Sequence, residues 1–426
     1  MIDNVGLRCL PWACAAFCLR APVVPTPALP DTTMTPQERR SSASLALIFA
    51  LRMLGLFLVL PVFALEARRY PGGSDPALVG LAMGIYGLTQ GLLQIPFGMA
   101  SDRFGRKPVI VVGLVIFAAG SALAAWAPSL SWLVAGRALQ GAGAISAAVT
   151  ALLADQTRDL VRTKAMALIG ACIGLMFALS LVLSPLLAAR IGLHGLFVLT
   201  AVLALGGIVV VLWWVPAEPA QPVVQARGGL AEVLRHPALL RLDFGVFVLH
   251  AVQLAMWVAL PALLVQAGLA QDQHWQVYLP AVLASFLVMG VSLFPLEKRG
   301  YLRAVFLVAV GLIAMVQMGL LLAQAQPSVP VLALLLFVFF CGFNVLEASQ
   351  PSLASRVAPA HVRGTALGVY NTLQSLGFFV GGVAGGWLLK HAGPQGLFAV
   401  CVVAMLAWLV VAWPMRAPSP KAPDGP

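Results

Sequence analysis

Charge is scarce in this sequence. Only 10% of its 426 residues are Asp, Glu, Lys or Arg, against about a quarter in an ordinary soluble domain. A chain this poor in charge lacks the polar surface that water requires on all sides, which excludes a soluble globular protein. Cysteine patterning is equally thin. Cys9, Cys14, Cys18, Cys172, Cys341 and Cys401 include no C-x-x-C pair, which removes zinc and dithiol frameworks. The last three lie in apolar runs, where a thiol behaves as a small hydrophobe. No G-x-x-x-x-G-K-[ST] run occurs, so ATP hydrolysis within the chain is not expected. No Ser-His-Asp or metal constellation stands out in the apolar halves. The chain is therefore not expected to be an enzyme or to hold a metal or cofactor.

What is abundant is apolar surface, with 61% hydrophobic residues. Runs of roughly 20 residues recur at 44–66, 77–100, 108–126, 131–154, 165–189, 195–215, 242–267, 275–296, 303–324, 329–352, 364–388 and 394–414. Each can cross about 30 Å of hydrocarbon. Lipid offers backbone groups no hydrogen-bond partners, so such runs must be helices. The fold class that follows is an all-α membrane protein with twelve transmembrane helices.

The longest polar interval, 217–241, divides the spans into two sets of six. "VRTKAMALIG" from Val161 and "VRGTALGVYN" from Val362 open the fifth span of each set with the same V-R-x-x-A, which suggests a duplicated 6+6 plan. The expected organisation is a leader at 1–33, a six-helix bundle at 34–216, a linker at 217–241, a second bundle at 242–416 and a tail at 417–426. The leader "LRCLPWACAAFCLRAP" carries basic and apolar residues as a signal peptide does. Cleavage there would not account for "MTPQERR" just before span one, so Met34 is the expected start, with a Pro-rich disordered leader as the alternative.

Basic residues set the topology. With the N-terminus in the cytoplasm, eighteen Lys and Arg fall on the cytoplasmic side and four (Arg68, Arg69, Arg190 and Lys390) on the other. That asymmetry absorbs most of the net charge of +11 and leaves little reason to expect a nucleic-acid partner. Both termini are expected in the cytoplasm.

One turn departs from this economy. "GMASDRFGRK" packs Gly98, Asp102, Arg103, Gly105, Arg106 and Lys107 into the connection between spans two and three. Gly98 lets another helix approach, and Gly105 can take positive φ. Asp102 can face a helix N-terminus, and Arg106 can pair with a carboxylate, for which Asp155 at the end of span four is the candidate. Ordinary positive-inside charge explains the basic residues but not the glycine spacing or the internal Asp.

With its twelve spans, this loop resembles the signature of the major facilitator superfamily over about residues 34–416. "FALRMLGLFLVLPV", "GIYGLTQGLLQIPFGMASDRFGRKP", "GRALQGAGAISAAVTALLADQTRDLVRTKAMALIG" and "HWQVYLP" are similar to the YajR-type bacterial drug:proton antiporters. Those proteins often carry a soluble C-terminal domain. This chain is expected to lack it, so no role of that domain is carried over. The resemblance implies a latch, in which Asp102 faces the start of span eleven near Gly364 and Arg106 pairs with Asp155 in the outward-open state. It also implies location in the bacterial inner membrane, a monomer, and a link between Arg137, in "GRALQGAGA", and proton transfer.

Ionisable residues inside spans are functional candidates by default. Arg52, Arg137, Asp243, His250 and Glu347 are candidates for proton coupling, and Glu347 leads because a desolvated carboxyl can carry a proton near neutral pH. Helix packing for the arginines, an interfacial place for Asp243, plain hydrogen bonding for His250 and a structural pairing for Glu347 stay open. Glu66, closing span one, is expected at the outer surface. Polar stripes at helical spacing (Tyr86, Gln90 and Gln94; Gln253 and Trp257; Tyr370, Asn371 and Gln374), with Asn344, suit a cavity for amphiphilic or cationic compounds, or interhelical hydrogen bonds. "GAGAIS" at Gly141 is expected to pack inside span four. In span five Ser184 stands where antiporters of this family typically place Gly before Pro185. The resulting expectation is proton-coupled efflux of small amphiphilic compounds by alternating access. An uptake permease or a facilitator for a sugar or amino acid is the alternative, and a non-transporting membrane sensor belongs to another class.

Overall fold

The computed structural model describes residues 33–218, 229–359 and 362–415. The expectations for residues 1–32, for the middle of the 217–241 interval and for the tail at 417–426 lie outside the described residues. The helices are α1 (Pro36–Glu66), α2 (Pro76–Phe104), α3 (Arg106–Ala125), α4 (Leu130–Ala142), α5 (Ser146–Asp155), α6 (Asp159–Trp213), α7 (Leu230–Val233), α8 (Pro237–Gln266), α9 (Trp275–Lys298), α10 (Leu302–Ala323), α11 (Val329–Val357) and α12 (Arg363–Ala412). No strand occurs among the described residues.

Ten helical segments are long and apolar enough to cross a membrane. Two of them are too long for one crossing: at 1.5 Å per residue, 50 residues reach about 75 Å, more than twice the roughly 30 Å of a hydrocarbon core. Each is interrupted at one glycine in the left-handed region, Gly192 in α6 (φ 64°) and Gly393 in α12 (φ 63°). Neither glycine has an atom within 4 Å of where a Cβ would stand, so backbone conformation, not crowding, favours glycine there. If each arm on either side of these glycines is taken as one crossing, the ten segments among the described residues correspond to the twelve spans expected. The separate spans expected at 165–189 and 195–215, and at 364–388 and 394–414, meet at a kink with no intervening loop.

Span four departs from expectation. The run 131–154 is not one helix. It breaks after Ala142, and α5 begins at Ser146. Gly141 and Gly143 do pack closely: a Cβ on either would collide with the backbone of α2 or α3. The chain also leaves helical geometry at Gly143, whose ψ is 55°. The interval 217–241 is likewise not all linker, since α7 and the first turn of α8 lie within it.

Local sequence sets the helix starts. Thr35 caps α1 in a reciprocal box with Glu38, and Pro36 follows. Glu38 also takes three hydrogen bonds from Arg158, from its backbone N at 3.0 Å, Nε at 2.8 Å and Nη2 at 3.0 Å. That fastens the start of α1 to the start of α6. Asp75 caps α2 through Ala77 N at 2.9 Å, with Pro76 next.

Helices α1–α6 pack mainly among themselves, as do α8–α12, and the principal contact between the two groups is α2 against α12. Small residues allow it. A Cβ on Gly84 would stand 2.7 Å from the Phe379 carbonyl, and Gly80, Gly87, Gly382 and Gly386 are equally hemmed in by backbone of the facing helix. The approach runs from Pro76 and Gly386 to Gly91 and Thr372. Beyond it, a Cβ on Gly98 would meet only Ala147 of its own group, and a Cβ on Gly364 or Gly368 would have no atom of the described residues within 4 Å. The groups thus touch at the end remote from the 98–107 turn. Two polar contacts reinforce that end: Lys390 Nζ to Asp75 Oδ2 at 2.9 Å, and Gln271 Nε2 to Glu66 Oε1 at 3.0 Å. Glu66 was expected at the surface but is 2% exposed, because it is sandwiched between Gln271 of the other group and Arg69, 3.1 Å away.

Candidate functional site

Two polar clusters form inside the apolar body, one in each group of helices. The first surrounds Arg52 of α1. Its Nη2 donates to Tyr86 Oη at 2.8 Å, Gln90 Oε1 at 3.4 Å and the Gly143 carbonyl at 3.3 Å, and its Nη1 donates to Ser146 Oγ at 3.1 Å. Arg52 therefore spans the break in span four and satisfies a carbonyl freed by it. Arg137 lies over the ring of Tyr86, with its guanidinium 5.0 Å from the ring centroid. It donates to Gln140 Oε1 at 2.9 Å, and Gln140 donates to Ser121 Oγ at 2.7 Å. All these acceptors are neutral.

The second cluster joins His250 of α8, Glu347 of α11 and Gln374 of α12. His250 Nδ1 is 2.8 Å from the Val246 carbonyl, which fixes Nδ1 as a donor. Its Nε2 lies 2.8 Å from Gln374 Nε2 and 3.3 Å from Glu347 Oε2, and Gln374 Nε2 donates to Glu347 Oε1 at 3.3 Å. The rings of Phe343 and Phe378 flank the imidazole edge-on. Glu347 is partly exposed while His250 is almost wholly buried. The two clusters meet where α2 faces α12, since Gln90 Nε2 donates to Ser375 Oγ, next to Gln374, at 3.4 Å.

Other candidates fall outside this chain of contacts. Asp243 is buried, and its Oδ2 has no hydrogen-bond partner among the described residues. Gln94 and Gln253 are also buried, each with a carbonyl oxygen in that condition. Trp257 is fully buried and packs edge-on against Tyr278, inside the α8–α12 core. Asn344 donates to Ser285 Oγ at 2.8 Å. Tyr370 is buried, and Asn371 lends its carbonyl to Ser375 at 3.0 Å. Two surface clefts, of about 430 and 340 Å³, are lined by none of these residues.

In the 98–107 turn, Arg106 is the hub. Its Nε donates to Asp155 Oδ2 at 3.1 Å, and its Nη1 donates to Ser101 Oγ at 2.7 Å and to Asp102 Oδ1. Asp102 is 65% exposed at its side chain, and among the described residues no atom lies within 4 Å of where a Cβ on Gly364 would stand. Gly105 has φ 94° and separates α2 from α3. Arg103 sits over the Phe104 ring. Lys107 Nζ donates to the Val215 carbonyl at 2.7 Å. The sequence did not reveal Glu218, which accepts from the backbone N of Arg106 at 3.0 Å and of Lys107. A carboxylate at the first turn of a helix is favoured, but Glu218 lies 112 residues from Arg106 and no spacing rule links them. Ser146 and Ser375 were missed for the same reason: both are common small residues whose partners lie on other helices.

The Major Facilitator Superfamily profile matches residues 45–382. The Escherichia coli (strain K12) inner membrane transport protein YajR is 45% identical over 392 residues, 91% of this chain and 86% of that protein. Multidrug resistance protein MdtH of Aeromonas salmonicida (strain A449) is 28% identical over 378 residues, 86% of this chain and 90% of that protein. Among solved structures, a D-xylose–proton symporter superposes with a TM-score of 0.72 at 15% identity, covering 88% of this chain and 97% of that one. An auto-inhibited peptide transporter of the POT family gives 0.73 at 12% identity, covering 90% and 99%. Those two likenesses establish the fold. The profile match over most of the chain and the 45% identity to YajR show that the chain is a membrane transporter, not an enzyme: it belongs to the major facilitator superfamily.

Proposed function

We propose that this transporter exports small amphiphilic compounds across the bacterial inner membrane in exchange for protons, as a monomer with both termini in the cytoplasm. One observation carries the coupling. His250 commits its Nδ1 hydrogen to the Val246 carbonyl, so Nε2 faces Glu347 with a lone pair unless a further proton is present. Without that proton, Gln374 Nε2 donates to His250 Nε2 at 2.8 Å and to Glu347 Oε1 at 3.3 Å; a proton on Nε2 would exchange the first of these bonds for a charge-assisted one to Glu347 Oε2, 3.3 Å away. The pair is thus a one-proton site beside the α2–α12 contact, where alternating access must operate. Gln374 holds both partners. Asp243 is a second carboxyl on the same helix as His250.

In this reading Asp102 is the part of the 98–107 turn that reaches the other group when the cytoplasmic face closes, while the Arg106–Asp155 pair, which lies within α1–α6 and is already formed, shapes the turn that presents it. The tight α2–α12 contact at the other end, the exposed Asp102 and the open surroundings of Gly364 suit a protein caught facing the cytoplasm. The name of MdtH supports a drug-like cargo. Ser184 favours a second reading, uptake or facilitated passage of a metabolite, since the Gly-Pro step typical of antiporters is missing at Ser184-Pro185.

The test is proton flux in liposomes loaded with a pH dye, under an inward proton gradient, with a panel of amphiphilic compounds. Antiport predicts compound-triggered proton entry that Glu347→Gln abolishes. Entry retained in Glu347→Gln moves the proton to Asp243 or another site. Absence of compound-dependent flux by the folded protein overturns antiport and favours the metabolite reading.

A further inference from the structure

The Arg52 cluster has a peculiarity that proton transfer does not use. Arg52 is 1% exposed and Arg137 5%, and among the described residues neither has a carboxylate at ion-pair distance. Buried charges are ordinarily paired, because an isolated ion is costly away from water. Arg52 is also directed at a helix N-terminus. Ser146 is the first residue of α5, a ten-residue helix whose start carries no side-chain cap. That end presents orphan N–H groups and the positive pole of the helix. A guanidinium against a positive helix end, with a second guanidinium over the Tyr86 ring, is a convergence of like charge. Arg52 Nε has no hydrogen-bond partner among the described residues. Ser146 Oγ accepts from Arg52 Nη1, which leaves its own hydrogen to donate outward. The one local offset is the carbonyl end of α4, where Gly143 O accepts from Arg52 at 3.3 Å; among the described residues no full negative charge balances the two guanidinium groups. Ser146 and Gln90 are half-buried while Arg52 is 1% exposed, so an anion would reach the guanidinium past these two side chains.

We propose that the break in span four is an anion subsite, and that the compounds this transporter handles carry a carboxylate which docks between Arg52 and the N-terminus of α5. This rests on the reading of the α2–α12 region as the transport path. It names the cargo class more narrowly than amphiphilic character alone, and it disfavours simple cations. The helix break is then functional: an unbroken span would have no N-terminus at mid-membrane to offer.

The test uses a fluorescent naphthyl carboxylate and its neutral methyl ester, with binding to the full-length protein in detergent followed by anisotropy. The two ligands match in apolar surface and differ in charge. The wild type is expected to favour the carboxylate by about tenfold or more, the value of one charge-assisted hydrogen bond. Arg52→Lys should keep part of that preference, and Arg52→Gln should erase it while ester binding persists. Because Arg52→Gln also strips a carbonyl of its partner, Ser146→Asp provides a second arm. A fixed carboxylate there should raise the melting temperature of the ligand-free protein and exclude the naphthyl carboxylate but not the ester. Equal affinity of the wild type for both ligands, binding of neither, or a preference surviving in folded Arg52→Gln overturns the proposal. Flux triggered by neutral or cationic compounds without carboxylate preference overturns this subsite and leaves antiport standing. Carboxylate preference without proton flux does the reverse.

Discussion

Lys390 Nζ lies 2.9 Å from Asp75 Oδ2, and this contact ties the far part of α12 to the residue that caps α2. It spans the two groups of helices at their closed end. The hydrogen bond from Lys390 holds the Asp75 carboxyl below the ordinary carboxylate range, with the Ala77 amide acting the same way. The sign follows. A carboxyl whose folded value is depressed favours the closed arrangement at neutral pH, and that contribution fades as pH falls through the depressed value, below about 4. Both side chains are substantially exposed, so salt should weaken the pair. Asp75→Asn is expected to loosen this end at neutral pH and to remove its dependence on salt. Labelling of a cysteine placed at Ser74, in an otherwise cysteine-free background, measures this as a faster reaction in Asp75→Asn.

The glycine contact beneath that ion pair sets a steeper constraint. Gly84→Leu would drive a side chain into the Phe379 carbonyl. Overpacking of this kind costs about 1–3 kcal/mol, and here the chain can relieve it by parting α2 from α12. Transport should stop while the protein stays folded, and the Ser74 cysteine should become permanently reactive. Slow labelling in folded Gly84→Leu would mean that the α2–α12 contact is not what closes this end.

Glu38 is a stability prediction free of transport. Its carboxylate takes three bonds from Arg158 and one from the Thr35 amide at 2.8 Å. Glu38→Gln keeps the shape but loses the charge and should cost about 1–3 kcal/mol, read as a lower melting temperature in detergent. Arg158→Lys should fall between, because a lysine cannot reproduce the two-pronged guanidinium contact.

Glu218 should behave as a cap. Its removal in Glu218→Ala leaves the Arg106 and Lys107 amides without that acceptor, at about 1 kcal/mol for the start of α3. Hydrogen exchange at residues 106–109 should accelerate, with little change in the exchange of α10.

How much of this was legible beforehand depends on the kind of residue. Hydropathy located the spans because lipid imposes one requirement on every stretch that crosses it. The 98–107 turn was visible because its charge stands against an apolar background. The break before Ser146 was hidden because Gly-Ala-Gly-Ala-Ile is as apolar as a continuous helix, and the decision to leave helical geometry depends on Arg52, ninety-one residues before Gly143. Glu66 misled for a related reason: a carboxylate at a span's end ordinarily meets water, and only the arrival of Gln271 from the other group encloses it. The spacing of the polar stripes is silent on helix rotation, so Trp257 turns inward to the core while Gln90 bonds Ser375, the neighbour of Gln374, at the α2–α12 contact. Single-helix patterns are written in local spacing, and partners across helices are not.

Gly192 and Gly393 stand 201 positions apart, the same offset that separates Val161 from Val362. From the start of each repeat to its kink, neither copy has gained or lost a residue. At each kink the chain changes direction within a single residue, leaving no slack between the arms. Each pair of spans is consequently one bracket with a single corner, and an arm that slides pulls its mate with it. Opening at one face must then be a tilt of whole brackets, and a glycine-to-alanine change at either corner should be felt as a jam throughout its own half of the molecule.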